Sequence, residues 1–318
     1  MRLGQNPAKT IKGVGRPERI TVAVLNYIPF LSGFYGEMLD VLKTNLATIW
    51  ENSDLPYDLM VFDNGSCKEV QEVLVEMRQK NQIQYLLLSS KNLGKGGAWN
   101  IIFDGAPGEI IAYTDNDVFF YKGWLSRSVE LLEKFPKVGM VTARPFHTLP
   151  ELFSSTLAWA KKTKGVKLEF GNHIPFESIQ EFLQSVGRTE KEIKADYEMG
   201  DHLVTYQGLQ AIIGASHWQF TAYKSVLKQF LPFDMSRPMG EVITLDKAMN
   251  ENGYLRLMPT QAYAMNMSNT LRKVPGSLRL EPQPQKKVRH AFLDLPFVKP
   301  VLMKIYHQIF RWYFDRTL

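Results

Sequence analysis

Cysteine is almost absent. Cys67 stands alone among 318 residues, so no internal disulfide can form and a disulfide-stapled secreted fold is excluded. No charged-then-apolar leader opens the sequence, so a secretory signal is not expected. Clean apolar runs of bilayer length are missing too. The longest uncharged stretch, 202–223, is interrupted by Gln, Gly, Ser and Thr, which argues against a membrane span. These absences predict a cytoplasmic protein whose membrane contact, if any, is peripheral. There is no repeat of solenoid period, and His147, His173, His202, His290 and His307 show no metal-ligand spacing. What is present is a 45% hydrophobic composition, enough for one large α/β domain or two small ones, which excludes disorder along the whole chain.

The formal charge of +6 is concentrated at one end. From Arg272 onward ten Lys/Arg oppose three acids, a net of +7 that leaves about −1 for the rest. The basic segment therefore points to an acidic surface, anionic lipid or nucleic acid. No recognised nucleic-acid motif accompanies the charge, which sets nucleic acid below lipid. The same segment is aromatic, from Phe292 to Phe297 and from Ile305 to Phe314. Two readings stay open for it: an interfacial segment on the inner face of the cell membrane, or packing on the body of the protein or a twin subunit.

Residues 1–19 mix Gly, Pro, Lys and Arg without periodicity and read as a flexible lead-in. From Ile20 the pattern alternates. Strands are predicted at 20–25, 59–62, 83–88, 110–114 and 138–143, with helices at 34–50, 70–78, 98–103 and 124–135. Such alternation implies an α/β fold, a mostly parallel twisted sheet with helices on both faces. The pattern changes at 150–205, where no strand is convincing and 176–185 and 189–197 look helical. This is expected to be an insertion or lid. A strand at 209–214, a helix at 219–230, and a helix at 240–252 stopped by Gly253 complete the body. Residues 266–318 form a basic, aromatic, partly helical extension.

Three constellations carry chemistry. Asp115-Asn116-Asp117 follows an apolar run directly, which places two carboxylates at the C-terminal end of a buried strand, where open α/β sheets hold their ligands. Hard oxygen donors suit Mg²⁺ or Mn²⁺, and few protein donors leave positions for a substrate diphosphate. Asp63-Asn64-Gly65-Ser66 ends the second strand, where a carboxylate can accept from the imide N–H of uracil or a similar base edge. Lys91 to Asn100, rich in glycine at 94, 96 and 97, reads as a turn feeding a helix, with free N–H groups that favour phosphate. Its spacing fits neither a Walker A loop nor Gly-x-Gly-x-x-Gly.

Taken in order, Asp63-Asn64-Gly65-Ser66, Asn92-x-Gly94 with Ala98-x-Asn100, and Gly108-Glu109 leading to Asp115-Asn116-Asp117 resemble the family 2 glycosyltransferases of GT-A fold. Downstream, Ile213-Gly214-Ala215, Phe220 to Lys224, Phe230 to Asp234 and Gly240-Glu241 to Gly253-Tyr254 are similar to the acceptor-side segments of that family. The resemblance covers 20–265, with 150–205 unmatched, and implies an inverting, metal-dependent transfer from a nucleotide-diphosphate sugar, UDP-type favoured, to a hydroxyl on a glycan or lipid-linked acceptor. It implies surface-polysaccharide or glycolipid synthesis as the setting. The donor would meet Asp63, Asn92, Gly94, Lys95, Asn100 and Asp115, the metal Asp115 and Asp117, and the acceptor His217 and Trp218. One departure matters: Val242 stands where the family carries a second acid, often the catalytic base. Glu241 is the first choice for that role and Asp246, a helical turn on, the rival.

Two other readings compete. A sugar-phosphate nucleotidyltransferase should have its glycine-rich, basic loop just after the first strand, and Asn26-Tyr27-Ile28-Pro29-Phe30 is no such loop. A non-catalytic sugar-nucleotide or glycan-binding subunit on the same scaffold is made thinkable by Val242.

Overall fold

The structure is a computed structural model that describes residues 13–235 and 242–272, together with 4–6, 8, 11, 274, 304, 305 and 308. The chain divides into two units, Met1–Val274 and Pro275–Leu318, and both β-sheets belong to the first. Glu241 and nearly all of the basic aromatic extension lie outside the described residues.

The first half follows the alternating pattern. Strands β1 (Ile20–Asn26), β2 (Asp58–Asp63), β3 (Tyr85–Leu88) and β4 (Ile110–Asp115) alternate with helices α1 (Met38–Asn52), α2 (Lys68–Gln79) and α3 (Gly94–Gly105). Every residue of β1 is buried, as befits a strand covered on both faces. Successive side chains sort to opposite sides. Val22, Val24, Leu59, Val61 and Ala112 join one core with Leu46 and Ile49 of α1 and Leu74 of α2. Ala23, Leu25, Met60, Phe62 and Tyr113 join another with Trp99 and Phe103 of α3. Helices therefore cover both faces.

Next come β5 (Val118–Phe120), α4 (Trp124–Lys134), β6 (Val138–Val141), α5 (Ser154–Lys162), β7 (Lys167–Gly171), α6 (Phe176–Ser185) and α7 (Glu190–Tyr197). They are followed by β8 (Asp201–Tyr206), β9 (Leu209–Ile213), β10 (Gln219–Tyr223), α8 (Lys224–Leu227), α9 (Ile243–Glu251), β11 (Leu255–Met258) and β12 (Ala264–Asn266). The main sheet runs β3-β2-β1-β4-β10-β6-β11-β9-β8-β7, and β12 pairs with β5 in a small second sheet. Pairing directions set β1, β2, β3, β4, β6, β8 and β11 one way and β7, β9 and β10 the other. Among the described residues no helix is long and apolar enough to cross a membrane.

The segment 150–205 departs from expectation. Helices α6 and α7 fall where predicted, and Thr189 with Glu192 closes a reciprocal capping box at the start of α7, which satisfies two otherwise unpaired N–H groups. Yet β7 and β8 are strands, paired antiparallel from Lys167↔Thr205 to Gly171↔Asp201. Strand β7 is short, charged and at least half-exposed, as sheet edges commonly are. Its pattern is too weak to register as a strand; pairing with β8 decides it.

Helix α3 begins at Gly94, within the stretch expected to be a turn and ahead of the helix expected at 98–103. Gly96 and Gly97 lie inside it because the segment 233–235 crosses at their backbone. A Cβ at Gly96 would run into the Asp234 carbonyl oxygen, and one at Gly97 would stand 2.8 Å from Met235 Cε. These glycines admit a neighbouring chain segment rather than a ligand. Gly96→Ala is expected to cost about 1–3 kcal/mol in urea unfolding, the range for overpacking. Gly105→Ala, whose Cβ would meet nothing nearer than Met60 Cε at 4.0 Å, is the control, expected to be neutral or stabilising. Equal destabilisation by both would refute the close-approach account.

Candidate active site

The C-terminal ends of β2, β1 and β4 lie side by side, with Asp63 registered to Asn26 and Asp115 to Leu25. Asn26 ties them together. Fully buried, it donates from Nδ2 to Asp63 Oδ1 at 2.7 Å and to Ser66 Oγ at 3.0 Å, and its Oδ1 accepts from Asn116 Nδ2 at 2.6 Å. One amide thus links the Asp63–Ser66 turn to the acidic segment on β4. Asp63 is itself fully buried; its oxygens also accept from the Ser66 N–H and from Gln71 Nε2. A carboxylate has about four acceptor sites, so three bonds leave room for one more donor.

Asn64 carries the turn onward to α3. Its side chain donates to Asn92 Oδ1 and the Gly94 carbonyl and accepts from the Leu93 N–H, while Asn92 Oδ1 also accepts from the Gly94 N–H. Asn64 and Asn92 therefore fix the start of α3 against β2. Gly65, at φ +86, lets Lys91 and Asn92 approach: a Cβ there would meet the Lys91 carbonyl carbon at 2.7 Å. Asn100 holds the segment that follows α8. It clamps Phe233, donating to the carbonyl at 3.0 Å and accepting from the N–H at 2.7 Å.

The acidic pair is asymmetric. Asp115 accepts from Lys95 Nζ at 2.7 Å and from the Tyr113 hydroxyl at 2.6 Å. Lys95 is buried, with its ammonium 5.6 Å from the Trp99 ring centre and 5.7 Å from that of Tyr113. Burial and the Asp115 charge push the Tyr113 phenol far up, which keeps it a neutral donor. Asp117, half-buried, has no hydrogen bond or ion pair with another residue's side chain among those described. Burial first, and then the Asp115 charge, push its carboxyl up to about 7, against a smaller opposing pull from Lys95. One acid is neutralised by the protein and the other is left short of a cation.

The Asp115 N–H donates to the Trp218 carbonyl at 3.0 Å, so His217 and Trp218 enter the sheet beside the acidic pair. Trp218 stacks on Phe182 at 6.0 Å and lies 6.1 Å from Phe146. Those contacts pack the indole against Phe182 of the insertion. Asp246, the rival base, is 1% exposed. Its Oδ1 accepts from Arg256 at 2.5 Å and its Oδ2 faces His217 Nδ1 at 2.5 Å. With both oxygens engaged and no access to the cleft, it cannot take a proton from an acceptor directly. Glu241 lies outside the described residues.

Two buried arginines escaped the sequence reading. Arg256 also donates to the Leu152 and Ala215 carbonyls. Arg144 pins the insertion, bonding Glu181, the Ser178 carbonyl and the Ala264 carbonyl. Burial lowers the pKa of each guanidinium. A lone Arg in a strand-like run carries no sign that it will be enclosed.

A mixed sheet with helices on both faces and an acidic pair at its central edge defines a protein of GT-A fold. The model of glycosyl transferase family 2 matches residues 33–185, a little under half of the chain. The match extends into the first part of the insertion and ends before His217 and Asp246. An uncharacterized glycosyltransferase of Nostoc sp. is 27% identical over 122 residues, 38% of this chain and 34% of the relative. The aligned part is thus about a third of that relative's length. Among solved structures, GalNAc-T7 with UDP, GalNAc and Mn²⁺ is similar at a TM-score of 0.50 and 10% identity, over 79% of this chain and 44% of that one. The mannosyltransferase PcManGT from Pyrobaculum calidifontis, in complex with GDP-Man and Mn²⁺, gives a TM-score of 0.45 and 17% identity over 77% and 55%.

Proposed function

We propose that this protein transfers a sugar from a nucleotide-diphosphate donor to an acceptor hydroxyl, with inversion at the anomeric carbon and with the help of a divalent ion. The observation that carries this reading is Asp115 and Asp117 at the sheet edge, joined through Asn116 and Asn26 to the Asp63 turn.

The donor set suits a hard cation. Asp117 is a carboxylate without a counterion among the described residues, and no group of three His, Cys, Asp or Glu converges there as a metal cage. Asp117, with Asp115 beside it, would hold Mn²⁺ or Mg²⁺ and leave most positions to diphosphate and water. When bound, the ion offsets charge building on the departing diphosphate. Lys95 adds a fixed positive charge at the same place, and its pairing with Asp115 sets its position before substrate arrives. Asp63 accepts from the base, UDP-type favoured. The acceptor is a glycan or lipid-linked hydroxyl in surface-polysaccharide or glycolipid assembly.

Full-length protein is expected to be stabilised against heat by UDP in the presence of Mn²⁺ and by neither alone. At a concentration 100 times Kd the gain is about 2.7 kcal/mol. Indifference to uridine and guanosine diphosphates with Mn²⁺ or Mg²⁺ would sink the reading. Stabilisation without turnover of any nucleotide sugar would favour the binding-subunit alternative that Val242 suggests.

A further inference from the structure

Behind His217 stands a buried apparatus for which the fold has no evident need. Arg256 is fully enclosed, its counterion is Asp246, and its Nε has no hydrogen-bond partner among the described residues. Buried ion pairs rarely stabilise a fold relative to an apolar replacement. This one ends on an imidazole that is 25% exposed. We propose that His217 Nε2 is the general base of the transfer and that Asp246 and Arg256 position it; the proposal rests on the transferase reading.

The geometry sets the tautomer. Asp246, held as an anion by Arg256, can only accept, so His217 Nδ1 must carry the proton in the bond between them. In the neutral ring the lone pair is then on Nε2, which has no partner among the described residues. The ring lies edge-on to Trp99 at 6.4 Å, and the Lys95 ammonium sits over the same indole. His217 is also one residue from Trp218, whose carbonyl accepts from the Asp115 N–H. The free nitrogen thus belongs to the neighbourhood where the diphosphate would depart. It is not a third metal ligand, since no such cluster forms among the described residues. Asp246 is shut away, and Val242 supplies no acid.

In the step itself the acceptor O–H proton passes to Nε2 as that oxygen bonds to the anomeric carbon. The bond from carbon to the diphosphate oxygen breaks, and its electron pair leaves with the nucleoside diphosphate. The imidazolium, stabilised by Asp246, returns its proton to solvent. Among the described residues Asp246 from α9 bonds the ring, Arg256 from β11 pairs with Asp246, and Lys95 from α3, paired with Asp115 of β4, shares the Trp99 ring with it.

The full chain would be assayed with Mn²⁺ and UDP-GlcNAc, and then with other UDP- and GDP-hexoses, by nucleoside diphosphate release to water or added sugar. His217→Gln keeps size and hydrogen bonding but removes the base. Its kcat is expected to fall roughly 10²–10⁴-fold, with the thermal shift by UDP and Mn²⁺ retained and the acid limb of the kcat–pH profile lost. Asp246→Asn should lower kcat and move that limb while leaving acceptor KM unchanged. A change confined to acceptor KM in His217→Gln, or an unchanged kcat there with a collapse in Glu241→Gln, would overturn the proposal. Long-range ¹H–¹⁵N spectra, assigned by the signal missing from His217→Gln, decide the tautomer without turnover. A proton on Nδ1 is expected, and one on Nε2 refutes the assignment. Wild-type protein that neither binds nor cleaves any donor would instead defeat the transferase reading.

Discussion

Asp117→Asn should melt higher than the wild type at pH 8 without metal, and should transfer sugar far more slowly. The folded carboxyl is pushed up to about 7 by burial and by the Asp115 charge, whereas an unfolded Asp titrates near 3.9. Between roughly pH 4 and pH 7 the folded chain keeps a proton that the unfolded chain has lost, so this group's contribution to stability declines as pH rises through that window. Above it the whole penalty is present. At 1.36 kcal/mol per pH unit the ceiling is about 4 kcal/mol; solvent contact reduces it to about 1–2 kcal/mol. Asn removes the penalty at nearly constant shape. For a domain of this size, a gain of about 3–6 °C at pH 8 is expected, shrinking toward nothing near pH 4. Addition of Mn²⁺ and UDP should reverse the order, because only the wild type gains from the ion. Loss of the charge-stabilising site should lower turnover on the order of 10²–10³-fold or more. Equal melting at pH 8, or full stabilisation of the variant by UDP and Mn²⁺, would show that Asp117 is no cation ligand.

Arg256→Met should cost about 3–5 kcal/mol, because Asp246 is left buried without its counterion. That is a large part of a typical stability of about 5–15 kcal/mol, so a sizeable fall in the urea midpoint is expected. The double variant Arg256→Met with Asp246→Leu should recover most of the loss, since apolar replacement of both partners removes the desolvation penalty. Turnover should not recover with it, because His217 loses the group that sets its tautomer. A single variant costing under about 1 kcal/mol would show that the pair is not desolvated as its enclosure implies.

Much of the first half was legible along the chain. The apolar run in β1 and the alternation through β4 are local patterns with one structural solution, and the acidic pair falls at a strand end because a buried run precedes it. Strands β7 and β8 were not legible, since β7 is charged, short and at an edge. The glycines at 96 and 97 were visible, but their reason was not. What needed room was the segment 233–235, more than a hundred residues away. Asn26 carried no signal of its own along the chain, although it joins the Asp63 turn to Asn116.

By itself the sequence determined the fold class, the order of the elements through β4 and the placing of two acids at a strand end, because hydrophobic period and turn chemistry act over a few residues. Tertiary structure alone decided which polar groups are spent on one another. Asp115 is matched by Lys95, Asp246 by Arg256 and Asn100 by Phe233, while Asp117 and one nitrogen of His217 are left over among the described residues. Those pairings join different elements of the fold, and desolvation, which gives each its energy, exists only once the core has closed around them.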